Sequence, residues 1–172
     1  MVIAKNAICM IFCGTWPSTK PTKKSFSPYS QNQTIAARLY KESGADLLPV
    51  NSAKFETWLQ VESSQFYPAI SAIIFELFYK PMFGMTTDMS NVEKEAGKLS
   101  AVLDVYEAHL AKNKYMAGDL FTLADLNHMP EIFLLLKTSK AELITSKPHV
   151  KAWWDDISTR PAWKKTTASL PV

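Results

Sequence analysis

The sequence predicts an all-α fold, a bundle of helices behind an irregular basic leader. Three observations carry that expectation. Val92, Ala96, Leu99, Leu103, Tyr106 and Leu110 recur at alternating spacings of four and three, which is one stripe of a long amphipathic helix. Met116 to Leu136 contains a second stretch that is apolar nearly all the way round, and a helix with no broad polar face belongs in a protein interior. No run alternates with period two for long enough to make a strand.

The elements follow in chain order. Residues 1–13 hold a short apolar run from Ala7 to Cys13, read as a loose start rather than a signal peptide because no small-residue cleavage site follows. Residues 14–33 are rich in Pro, Lys, Ser and Thr and cannot bury a core, so 1–33 is expected to be an irregular leader. Thr34 to Ser43 is expected to be a helix stopped by Gly44, with 34–50 forming that helix and a linker. A long helical pattern begins at Asn51 and includes Trp58, Leu59 and Phe66. Pro68 is expected to kink or interrupt it, and Lys80-Pro81 to stop it.

Ser90-Asn91-Val92-Glu93 has the form of a capping box opening the striped helix. Thr122 to Asp125 is a second box, with Asp in place of the preferred Glu, opening a central helix that Pro130 should bend. Pro148 suits a first helical position, with Val150, Trp153, Trp154 and Ile157 inward. Pro161 begins one more short turn carrying Trp163.

Composition excludes several function classes. The 172 residues are 47% hydrophobic and 12% aromatic, enough for a core. The net charge of +3 is uneven: six Lys or Arg and no acid precede Glu42, leaving 13 basic and 16 acidic residues from Glu42 onward. The cluster Lys20-Pro21-Thr22-Lys23-Lys24 has no interleaved aromatic, so no nucleic-acid partner is expected. The central helix, at about 16 residues with several polar groups, is too short and polar to span a bilayer, so no membrane partner is expected. Both cysteines, Cys9 and Cys13, lie in the leader, which rules out a Cys-based metal site in the body and suits a reducing, cytoplasmic location.

Catalytic signatures are absent too. The five glycines are scattered, and His109, His128 and His149 fall on three different helices, so no metal-binding set is expected. His128, on the buried helix, is expected to be a hydrogen-bonded core residue, and Asp125 a cap rather than an acid catalyst. The run Phe66, Ile70, Ile73, Ile74, Phe75, Phe78, Tyr79 has more apolar surface than one packing face requires. It admits two readings: two-sided core packing, or one side lining a pocket or partner surface.

From Thr34 onward the chain resembles the C-terminal part of phi-class (plant-type) glutathione transferases. The resemblance rests on Trp58-Leu59-Gln60-Val61-Glu62-Ser63, on Phe75-Glu76-Leu77-Phe78 followed by Lys80-Pro81-Met82, and on Val102 to Leu110. It continues through Met116-Ala117-Gly118-Asp119, Phe121 to His128, Lys147 to Trp154 and Arg160-Pro161-Ala162-Trp163. It implies a helical domain over 51–172 that faces hydrophobic electrophiles, and assigns Phe75, Tyr79 and Leu134 to the substrate-binding wall. It also implies glutathione as co-substrate, no permanently bound cofactor, and a possible homodimer. The thiolate, the reactive form of a thiol with pKa near 8.5, attacks an electrophilic carbon or a peroxide in that family.

Residues 1–33 hold no counterpart of the family's strand–helix–strand segment, so most of the thioredoxin-like glutathione domain is expected to be missing and no catalytic residue is carried over. The chain is therefore expected to be inactive alone. Two alternatives stand beside this: a non-catalytic module for apolar ligands or partner subunits, and an incomplete gene product.

Overall fold

Two prolines fall inside one long helix and do not end it. The computed structural model describes residues 53–168. The leader over 1–33 and the helix expected over 34–43 lie outside the described residues. The first helical rod runs as α1 (Ala53–Val61), a π-helical turn π1 (Glu62–Phe66), α2 (Tyr67–Ile74), a second π turn π2 (Phe75–Tyr79) and α3 (Lys80–Met82).

Pro68 and Pro81 each follow one of the π turns by two residues. A proline offers no N–H and its ring crowds the carbonyl four residues back. Each preceding turn widens instead: the Tyr67 N–H reaches the Glu62 carbonyl and the Lys80 N–H reaches the Phe75 carbonyl, both five residues back. The expected interruption at Pro68 is therefore a local widening with αR geometry on both sides. The expected stop at Lys80-Pro81 is also displaced. The helix runs one turn further and ends at Gly84, whose φ of 69° suits a residue without a Cβ. The Gly84 N–H bonds the Pro81 carbonyl at 3.0 Å and the Met85 N–H bonds the Lys80 carbonyl at 2.8 Å, the paired bonds of a Schellman stop.

Helix α4 (Met89–Leu110) begins earlier than the Ser90 box predicts. Its cap is Asp88, whose Oδ1 accepts from the N–H groups of Ser90 at 3.0 Å and Asn91 at 3.2 Å. Asp88 is fixed from a distance: Glu76 accepts from its N–H at 2.8 Å and from Asn91 Nδ2 at 3.3 Å, and pairs with Lys80 at 2.7 Å. Glu93 faces elsewhere, pairing with Lys140 at 2.7 Å. The stripe Val92, Ala96, Leu99, Leu103, Tyr106, Leu110 is buried throughout, as its spacing requires.

The expected central helix is two helices, α5 (Leu123–Leu126) and α6 (Met129–Leu135). The break precedes Pro130. Without a proline N–H the ladder cannot continue, and the His128 N–H takes the tighter bond to Asp125, three residues back, at 3.2 Å. A single turn, α7 (Glu142–Thr145), precedes α8 (Pro148–Ser158), which buries Val150, Trp153, Trp154 and Ile157 as expected. Helix α2 packs on α4 and α6, and α8 on α4. The chain divides into two units, with α1 to α8 in the one spanning Pro49–Arg160. The final helix α9 (Pro161–Thr167) belongs to the other. No strand is present among the described residues, and none of their helices is long and apolar enough to cross a membrane.

Candidate acceptor wall and its buried support

Phe75 and Tyr79 open and close the same widened turn, π2, so the two aromatic wall candidates come together. Phe75 stands 48% exposed, with Lys80 Nζ 5.9 Å from its ring centroid. Tyr79 is half-buried and meets Phe78 edge-on, ring centroids 5.4 Å apart. Its phenol is pushed up to about 12, chiefly by burial and then by the nearby Glu131 and Tyr67, so it keeps its proton at neutral pH. Leu134 lies on α6, against the neighbouring α2 rather than in the same turn, and is only 4% exposed. Phe75 is thus open to solvent, Tyr79 is half-buried with its hydroxyl turned inward, and Leu134 is part of the core.

Behind the wall the bundle is held by buried polar groups. Asp125 is fully buried, and its Oδ1 accepts from the Met116 N–H at 2.9 Å and from Trp153 Nε1 at 3.0 Å. Its Oδ2 accepts from the Thr122 N–H at 2.9 Å and from Thr122 Oγ1 at 3.1 Å. The capping reading holds, with a wider role: one carboxylate joins α5, the loop before it and α8. Burial nevertheless raises its pKa, outweighing these bonds.

His128 is buried with both ring nitrogens engaged, Nδ1 at 2.6 Å from the Ala124 carbonyl and Nε2 at 2.9 Å from the Tyr106 hydroxyl. A carbonyl only accepts, so Nδ1 carries the proton and Nε2 takes the one from Tyr106. Burial lowers the imidazole to about 3, so it is the neutral core histidine the sequence suggested. His109 also finds an internal partner, which the sequence did not suggest. Its Nε2 lies 3.0 Å from the Met116 carbonyl and its ring 4.3 Å from that of Trp58.

Besides Glu76 behind the α4 cap, two buried acids escaped sequence reasoning. Glu62 on π1 is 0% exposed, and neither carboxyl oxygen has a hydrogen-bond partner. Glu131 on α6 is also buried. The available signal was an acid flanked by apolar helix residues, Val61 before Glu62 and Ile132 after Glu131, but that pattern alone gives no burial. No group of three or more His, Cys, Asp or Glu that could hold a metal occurs among the described residues.

The family model for the glutathione S-transferase C-terminal domain matches residues 66–161, more than half of the chain. The chain belongs to the glutathione S-transferase family. It is 46% identical over 151 residues to glutathione S-transferase 3 of Zea mays, covering 86% of this chain and 67% of that protein. The apo structure of glutathione S-transferase III superposes with a TM-score of 0.79 at 48% identity, over 90% of this chain and 72% of the other. Glutathione S-transferase I from maize, solved with an atrazine glutathione conjugate, superposes with a TM-score of 0.71 at 38% identity, over 83% of this chain and 67% of the other. The plant phi-class resemblance is shown, and the chain spans about two thirds of the length of the curated relatives it matches.

Proposed function

We propose that the unit Pro49–Arg160 is the electrophile-facing half of a glutathione transferase, with Phe75 exposed on its substrate wall, Tyr79 closing the same turn and Leu134 buried in the core that supports it. The observation that carries this is the 48% exposure of Phe75 on the widened turn π2. An exposed aromatic ring on an apolar helix face suits a hydrophobic electrophile. Glutathione is the co-substrate: its thiolate forms the new C–S bond, and the leaving group departs with the bonding pair. Support comes from the maize relative solved with an atrazine glutathione conjugate. The reading includes a cytoplasmic location and a homodimer.

The reading also holds that this 172-residue chain alone does not conjugate glutathione, because residues 1–33 contain no counterpart of the family's glutathione-binding segment. A second reading, a binding module for apolar ligands, is favoured by the exposed run Phe75, Met82, Phe83, Met85, Met89. One experiment separates them. The purified chain is assayed for conjugation of glutathione to a chlorinated nitroaromatic, with retention on immobilised glutathione measured in parallel. No turnover alone, with conjugation restored by a supplied glutathione domain, supports the transferase-half reading. Turnover by the chain itself overturns the inactivity claim, and no turnover even with the added domain favours the module.

A further inference from the structure

Besides Asp125, whose carboxylate is met by N–H donors, two carboxyl groups lie inside the bundle with no cation to meet them among the described residues. Glu62 sits on π1, fully buried and with both oxygens unbonded, and Glu131 sits on α6. Neither takes part in an ion pair among the described residues. The ionisable groups that interact with them are Tyr67 on α2, Tyr79 on π2 and Tyr106 on α4, with His128 bonded to Tyr106 just before α6. The three phenols are all pushed upward and the imidazole is held neutral, so none supplies a positive charge. Phe66 fills the space beside them, its ring 5.7 Å from Tyr106 and 4.6 Å from His128. An ionised carboxylate in such surroundings is costly, and keeping the proton is the cheaper state.

Glu131 also stands directly behind the wall. It precedes Leu134 by three residues on the same face of α6, and its charge acts on Tyr79. We propose that Glu62 and Glu131 form a proton-holding pair between π1 and α6, so that the bundle is most stable in mildly acidic solution and loosens behind the acceptor wall as the pair ionises. The link to the wall rests on the acceptor reading above; the pair itself does not.

The sign follows from linkage. Burial pushes Glu62 up to about 9, with the charge of Glu131 adding to it, and burial pushes Glu131 up to about 7, both from 4.5. In the intervening range the folded chain binds protons that the unfolded chain has released. The stabilisation is complete below about pH 4.5 and is lost as pH rises through about 7 and then about 9.

The experiment is a thermal-melting series on the full chain from about pH 6 to about pH 9, comparing the parent with Glu62→Gln, Glu131→Gln and the double substitution. The parent Tm is expected to fall across the range and the double variant to lose most of that fall. Parallel profiles overturn the pair. Should the variants fail to fold, infrared spectroscopy of the unmodified protein near neutral pH reads the pair directly. A protonated-carboxyl C=O band that disappears on raising the pH supports it, and its absence overturns it. Titration with an apolar fluorescent dye over the same range tests the wall. Weaker dye binding in step with the fall in Tm supports the link, and unchanged dye binding beside a falling Tm overturns the link while the pair stands.

Discussion

Asp125 shows how much one side chain can hold. Replacing it with Ala strands the amides of Met116 and Thr122 and the indole N–H of Trp153 in a dry interior. Each buried donor left unmade costs about 1–3 kcal/mol, so Asp125→Ala is expected to destabilise by roughly 3–5 kcal/mol, well beyond the about 1 kcal/mol of an ordinary cap. Urea unfolding at neutral pH measures it. His128 gives a pH dependence of opposite sign to the carboxyl pair. Its imidazole is lowered from 6.5 to about 3, so the unfolded chain binds a proton that the folded chain refuses. Its contribution is present above about pH 6.5 and is lost as pH falls toward about 3. His128→Gln is expected to flatten that acid limb, as seen by circular dichroism during acid titration.

The first helical rod and α4 divide what a sequence can show from what it cannot. The α4 stripe was legible because burial repeats with the helical period. The true cap was not: Asp88 is selected over Ser90 by Glu76, whose carboxyl meets the Asp88 N–H from twelve residues upstream. Asp88→Ala is expected to cost about 1 kcal/mol while Ser90→Ala is near neutral, and paired thermal melts decide between them. Gly84→Ala is expected to cost about 1 kcal/mol through its φ of 69° alone, since a Cβ there meets nothing within 4 Å. Pro68 and Pro81 were visible as irregularities, but a proline can break a helix, kink it or widen the turn before it. The choice is made by packing against α4 and α6, which local sequence does not contain.

For the whole molecule, the helical half of the family fold was legible from Trp58 to Trp163, because apolar periodicity and local motifs agree throughout that span. The buried support behind the wall was less so. Glu62 and Glu131 look like ordinary helix-surface acids until the tertiary packing closes over them. The central claim is that Phe75 opens an acceptor wall. It is tested most directly by fluorescence titration of an apolar dye against the parent, Phe75→Ala and a control, Val105→Ala, whose parent residue is 59% exposed on α4 outside its buried stripe. The account predicts several-fold weaker dye binding for Phe75→Ala and parental binding for Val105→Ala. Parental affinity in Phe75→Ala, or equal losses in both variants, would contradict it.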